Sequence, residues 1–330
     1  MMLSRRTLAG AAMLFPTVHT AQAQPTAGAV PADWPSRSLR LIIPFPPGGT
    51  TDLLARLLAD RLGTRLGQTV VAENRGGAAG VIAAEVATRA DPDGYNLFFG
   101  SIGTAAINGH LHSKLSYRPE DLLPVALFAD VPNVLVVRQN SPLRTLAELI
   151  AAAREKPGDL TYASSGSGSS LHLSGELLKS EAGVDILHVP FRGGADSVNQ
   201  LLGGRIDLSV NNLPSAINLI RGGQLRALAV TSPERSVALP DVPTVAESGY
   251  PDYAATAWFG LQVPLRTPQP IIDRLNTEVN RICAEPEVRE RTEAVGARLR
   301  GGTAADFARF IAEENVRWAA VIQRSGAKVD

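Results

Sequence analysis

Short apolar runs and longer amphipathic stretches take turns along this chain. LRLIIPF, ending at Phe45, is apolar and strand-like. TDLLARLLADRLGTRLG, which follows a Pro/Gly turn, repeats its apolar positions with a helical period. QTVVAEN reads as strand, AAGVIAAEVATRA as helix and YNLFFGS as strand. A looser stretch over residues 110–124 interrupts the series, and VLVVR, ending at Arg138, restarts it. TLAELIAAARE, SLHLSGELLKSEAG, ADSVNQLLGG and PSAINLIRGG then alternate as helices with the strands LTYAS, DILHVPF, IDLSVNN and LRALAVTS. AWFGLQVP and two helices, residues 268–283 and 303–323, close the chain. Strands alternating with amphipathic helices predict an α/β protein of mostly parallel sheet flanked by helices. With 330 residues, two lobes are expected rather than one core.

The first residues follow a different plan. Arg5 and Arg6 precede an apolar segment over residues 8–18, and AQA stands at residues 21–23. This is the layout of a signal peptide, residues 1–23, cleaved after Ala23. Its apolar segment is too short to cross a bilayer of about 30 Å. SRRTLA also fits a twin-arginine signal, so Sec and twin-arginine export both stay open. Residues 24–36, rich in Ala, Pro, Gly and Thr, read as a flexible leader. No later segment holds 18 consecutive apolar residues, so a periplasmic, soluble protein is expected.

Composition removes several function classes. The formal charge is zero, so no global field attracts nucleic acid or anionic lipid. Cys283 is the single cysteine and excludes an intramolecular disulfide. Four RGG triplets begin at Arg75, Arg192, Arg221 and Arg300. They are too far apart for a clustered RNA-binding segment and read as turns and helix caps.

Two strand-to-helix turns carry the candidate chemistry. FPPGGTTD, residues 45–52, has no Lys, Arg or His. Its prolines stiffen it, Gly48 and Gly49 bare its main chain, and Thr50 and Thr51 add hydroxyls. A helix N-terminus offers unpaired N–H groups and about half a positive charge, which suits a small anion. The same residues also fit a plain turn in which Asp52 stabilises the first helical turn. SSGSGSSLH, residues 164–172, repeats the plan with Ser165, Gly166, Ser167, Gly168 and Ser169, and with His172 as its one possible cation. Two such turns, one per lobe, can face each other across a cleft and hold a ligand without a cationic clamp.

Enzyme readings fare worse. Leu171 stands where G-x-G-x-x-G needs its last glycine, and neither a P-loop nor a G-x-S-x-G elbow is present. Ser169 or Ser170 with His172 leaves a secreted hydrolase as the alternative, but no orienting third residue can be placed. His110 and His112 have no carboxylate at ligand-like spacing, so no metal or other cofactor is expected.

Over nearly the whole mature chain the sequence resembles the extracytoplasmic solute receptors of tripartite tricarboxylate transporters, the Bug-type periplasmic binding proteins. The resemblance rests on IIPFPPGGTTDLLAR, VVAENRGGAAGVIAAEVATRADPDGY, HVPFRGGADSVNQLLGGRIDLSVNNLPSAINLIRGGQLRALAVTS, RSVALPDVPTVAESGYPDY and AWFGLQVP, in that order. It implies a two-lobed, type II-like Venus-flytrap protein that is not an enzyme. Lobe I would be residues 37–138 and 256–330, and lobe II residues 139–255. It further implies a small organic carboxylate held by the two turns, delivery to membrane permease subunits or a sensor, and a monomer. Carried over residue by residue, the ligand-binding set is Phe45, Pro47, Gly48, Gly49, Thr50 and Asp52, then Ser165, Gly166, Ser167, Gly168, Ser169 and His172. Thr104, Asn211, Asn212 and Trp258 complete it.

Overall fold

The computed structural model describes residues 33–327 and Val329. The expected signal peptide and most of the leader lie outside the described residues. The chain opens with β1 (Leu39–Ile43), α1 (Thr50–Leu66), β2 (Val70–Asn74), α2 (Val81–Thr88) and β3 (Asn96–Ser101). A π-helical turn (Gly103–Ile107) and the short α3 (Asn108–Leu111) follow. A 17-residue strand, β4 (Leu122–Arg138), comes next. Then come α4 (Leu146–Glu155), β5 (Thr161–Ser164), α5 (Ser170–Ala182), β6 (Leu187–Pro190), α6 (Gly194–Leu202), β7 (Leu208–Asn212), α7 (Leu213–Arg221) and β8 (Leu225–Val230). The chain ends with β9 (Thr256–Pro264), α8 (Gln269–Ala284), α9 (Pro286–Glu293), β10 (Arg298–Leu299) and α10 (Ala304–Ser325).

The architecture is two-lobed α/β. In one lobe β1 pairs in parallel with β2 and β3, and in the other β5 pairs in parallel with β6 and β7. The sheets are mixed rather than mostly parallel, because β4 and β9 run antiparallel to their neighbours. β4 explains this. Residues 122–132 pair with β9, and residues 133–138 pair with β7 and β8. One strand therefore belongs to both lobes. Sequence pattern shows only its second half, VLVVR, because PVALFADVP carries two prolines and no clean alternation. We propose lobes close to those expected, with the first crossing at Pro132–Asn133, where β4 changes partners.

Each lobe has its own reason to hold together. α1 turns Leu54, Ala55, Leu58, Ala59 and Leu62 onto the first sheet, where they meet Leu39, Leu41 and Ile43. Gly67, at φ 69°, ends the helix in the left-handed conformation that glycine adopts without strain. α8 covers the same core with Ile271, Ile272, Leu275, Val279 and Ile282. Each such side chain, fully buried, contributes about 1.5–3 kcal/mol of transfer free energy. In the second lobe, α6 and α7 bury Val198, Leu201, Leu213 and Ile217 against Val134, Val136 and Val230.

α10 crosses behind both lobes. Its capping box, Thr303 with Asp306, starts it beside the first sheet. Its far end packs on α5, with Arg324 at 3.8 Å from Glu181. Trp258 of β9 and Trp318 of α10 are fully buried, and both indole N–H groups donate to Glu314 Oε2 at 3.1 Å. Arg317 sits at 3.0 Å from the other carboxylate oxygen. No helix among the described residues is long and apolar enough to cross a membrane.

Replacing Glu314 with Ala leaves two buried indole donors without an acceptor. The expected cost is about 2–4 kcal/mol, and about half that for Glu314→Gln, which keeps an acceptor. Urea denaturation of the three proteins measures it. Equal stability of Glu314→Ala and wild type would show that this buried carboxylate does not hold the helix to the hinge.

Candidate functional site

Four helices begin at one cavity of about 460 Å³ between the lobes. α1 arrives with Gly49 as its N-cap, α5 with Ser169, α6 with Gly193 and α7 with Asn212. Gly49, Ser169, Gly193 and Asn212 all line the cavity, as do Ser101, Ile102 and Gly103, which lead into the π-helical turn. Helix starts carry unpaired N–H groups and the positive ends of the helix dipoles.

The first turn is braced from behind. Asp52 is buried, and its carboxylate accepts from the Gly48 N–H at 3.0 Å, from Arg56 at 2.9 Å and from Asn74 Nδ2 at 2.8 Å. Asn74 Nδ2 also donates to the Phe45 carbonyl at 2.9 Å. Burial works against the Asp52 charge, but the bonds from Arg56, the Gly48 N–H and Asn74 outweigh it and hold its carboxyl below the usual range. Its charge is spent on the loop and does not line the cavity. The positive φ falls at Gly48, at 88°, whereas Gly49 has an ordinary extended conformation.

The second turn is braced by its own serines and by two histidines. Ser169 Oγ accepts from the His172 N–H at 3.2 Å and donates to the Gly166 carbonyl at 2.7 Å. Ser164 Oγ accepts from the Gly166 N–H at 3.2 Å and lies 2.7 Å from His188 Nε2. His172 Nδ1 accepts from the Gly168 N–H at 3.2 Å, and its ring stacks on His188 with centroids 4.0 Å apart. Burial pushes both imidazoles down, His188 to about 3, so both are neutral at neutral pH and His172 can accept. This geometry disposes of the hydrolase alternative. His172 Nδ1 is occupied by a backbone donor, and Ser169 meets the His172 main chain rather than its ring.

The remaining walls are fixed by asparagines. Asn211 Nδ2 donates to the Gly194 carbonyl at 2.9 Å and pins the start of α6. Asn212 Nδ2 donates to Asn133 Oδ1 at 2.6 Å, tying α7 to the strand shared by the lobes. Ser215 of α7 reaches across the cleft. Its Oγ accepts from the Thr50 N–H at 2.8 Å and lies 2.6 Å from Thr50 Oγ1. Gly48 approaches Ala195 and Gly193 approaches Pro46 across the same gap.

The structure separates the sequence-derived residues by where they sit. Phe45, Pro47, Gly49, Thr50, Ser165, Ser169 and Asn212 line the cavity. Gly48, Asp52, Gly168, His172 and Asn211 lie behind the wall and position it. Gly166 and Ser167 face a neighbouring chamber. Thr104 is buried in the turn it closes, bonded both to the Ser101 N–H and to the Ser101 carbonyl at 3.0 Å. Trp258 faces the hinge core, and Phe259 lines the cavity in its place, because adjacent strand residues point to opposite faces.

One segment was missed. Arg192, Gly193, Gly194, Ala195 and Asp196 all line the cavity. The expected wall free of cations other than His172 is thus overturned by Arg192. The signal was present in the sequence. FRGGAD resembles PGGTTD, with a glycine pair at a helix start and an acid in its first turn. At Gly77, Gly223, Gly301 and Gly302 the RGG triplets do place glycine at positive φ, but Gly193 is an extended N-cap.

Comparison with known proteins gives one consistent answer. Residues 54–327 match the model of the tripartite tricarboxylate transporter family receptor. Protein BugT of Bordetella pertussis is 40% identical over 306 residues, covering 92% of this chain and 94% of that protein. The solved structure of Rpa4515 of R. palustris with adipate matches with a TM-score of 0.88 at 39% identity, over 90% of this chain and 100% of that one. MatC of Rhodopseudomonas palustris with bound malate matches at 0.83 and 34%, over 88% and 100%.

The bracing role of Asp52 has a pH signature. Its folded pKa is depressed, so its contribution is present at neutral pH and fades as pH falls below about 4. Asp52→Asn is expected to cost about 1–3 kcal/mol at pH 7 and progressively less toward pH 3. Denaturation midpoints of both proteins across that range test it, and a penalty independent of pH would refute the assignment.

Proposed function

The chain belongs to the tripartite tricarboxylate transporter receptor family, and from that premise we propose an exported receptor that closes its two lobes on a small organic carboxylate. The observation that carries this reading is the meeting of four helix N-termini at a single cavity walled by serines, threonines and glycines. An anion there gains hydrogen bonds to main-chain N–H groups. Such bonds to a charged group contribute roughly 1.5–3 kcal/mol each, so four or five support micromolar binding after the cost of association. The relatives solved with adipate and malate fit the same chemistry. The Arg5–Arg6 pair, the short apolar segment and AQA support export to the periplasm with cleavage after Ala23, by the Sec or the twin-arginine route. The receptor would act as a monomer and hand its ligand to membrane permease subunits or to a sensor.

Two measurements test the carboxylate. A panel of organic acids should raise the melting temperature of the mature protein, by about 2.7 kcal/mol of stabilisation at a hundredfold excess over Kd. Gly49→Val should then abolish most of that response. An added Cβ meets nothing within 4 Å and φ is −88°, so the variant folds and its side chain fills ligand space. A loss of at least tenfold in affinity, about 1.4 kcal/mol, is expected by calorimetry. A folded Gly49→Val that binds as wild type does would exclude this turn from the site.

A further inference from the structure

We propose that Ser215 is a positioning residue that latches the lobes: it grips the start of α1 from the opposite lobe and sets how long a ligand stays, whichever acid is bound. This rests on the carboxylate reading above and adds what holds the lobes together on the ligand. Thr50 is the first residue of α1, and Ser215 is the third of α7. Ser215 Oγ accepts from the Thr50 N–H at 2.8 Å and lies 2.6 Å from Thr50 Oγ1. One hydroxyl of the second lobe thus meets both the main chain and the side chain of Thr50.

Both partners stand on rigid ground. Thr50 is buried, so the bond is sheltered from competing water and gains strength from the low local dielectric. Behind Thr50, α1 buries Leu54 and Leu58 in the core of its own lobe. Behind Ser215, Leu213, Ala216 and Ile217 are fully buried in the other core, and the N-cap Asn212 is tied to Asn133. Neither group can retreat from the other alone. The bond forms or breaks with the movement of the lobes.

The chemistry of the contact suits a latch. Two helix starts meet here, each the positive end of a helix dipole. A cation between them would be repelled, and a carboxylate would compete with the ligand for the same donors. A serine hydroxyl bridges them and stays neutral. Beside it, Gly48 approaches Ala195 and Gly193 approaches Pro46, small apolar surfaces that bury little area. The polar links of α10 to the second lobe, Arg324 with Glu181 and Arg317 with the Ala254 carbonyl, lie behind the cleft rather than at its mouth. Thr50 and Ser215 also line the cavity, so direct contact with the ligand is the rival role for Ser215. The two roles differ in one respect. A lost ligand contact depends on what each ligand places against it, whereas a lost latch weakens the closed arrangement by one factor for every ligand.

Stopped-flow binding of malate, adipate and butyrate to the mature protein separates them. Ser215→Ala should release each acid that binds about three- to tenfold faster, by a common factor, and capture it at a rate within about twofold of wild type. Ser215→Thr keeps the hydroxyl and should release ligand within about twofold of the wild-type rate. Alanine favours the helix, and circular dichroism checks that the variant is folded. X-ray scattering without added acid should give Ser215→Ala a larger radius of gyration than wild type. Unchanged release, a factor that differs between acids by more than about threefold, or equal radii overturns the latch and leaves the carboxylate reading standing. If folded wild type binds none of the acids, that reading fails, and the radii still judge the latch.

Discussion

The cavity depends on the starts of four helices, whose first N–H groups have no partner within the helix itself. Leaving such donors unsatisfied in a buried place is costly, so a fold that gathers them must either cap them or offer them to a ligand. Several polar side chains set the loops from behind the wall, while Thr50, Thr51, Ser165 and Ser170 line it. Asp52 and Asn74 clamp the first turn, Ser164, Ser169 and His172 knit the second, and Asn211 holds the third. The hydrogen bonds that set the shape of the loops thus differ from those that meet the ligand. That separation explains why an anion site carries a buried acid in its first turn. The carboxylate of Asp52 is outside the cavity lining, and the guanidinium of Arg56 at 2.9 Å balances its charge.

Closure is a second use of the same groups. The Thr50 N–H, one of the orphan donors of α1, is taken by Ser215 of the opposite lobe rather than by the cavity. Lobe contact therefore consumes part of the donor set and leaves the rest for ligand. The movement that would open the cleft has to pass through β4, which pairs with β9 in one lobe and with β7 and β8 in the other. Behind them, Glu314 binds two tryptophans from separate elements and anchors α10 across the junction. A ligand that bonds both lobes lowers the free energy of the closed arrangement by its differential affinity for it.

Much of this was legible in the sequence. The alternation of apolar runs and amphipathic stretches gives the helices and most strands, since each period reports which face is buried. The two Gly-rich turns stand out because glycine, proline and small hydroxyls cluster between a strand and a helix. The first half of β4 was illegible, since a strand buried on both faces and broken by prolines has no period to read. Trp258 and Phe259 show a sharper limit. Nothing local says which of two adjacent aromatic residues faces the ligand; only the register of β9 against β4 decides it. The turn at residues 192–196 is visible as a pattern, but an RGG triplet before a helix reads locally as a cap, and only the fold brings it to the cavity.

The two ends of the cleft differ in how they can change. Main-chain donors at the helix starts survive almost any substitution that keeps the turn, so the grip on the first carboxylate is hard to lose by mutation. At the junction of the two chambers the lining includes the side chains of Arg192, Asp196 and Ser165. A single exchange there alters the charge or size of that part of the wall. A fixed backbone anchor at one end and variable side chains at the other let one architecture bind acids of different length and charge. The turns at residues 45–52 and 164–172 present mostly main chain and small hydroxyls to the cavity, whereas the turn at residues 192–196 presents charged side chains.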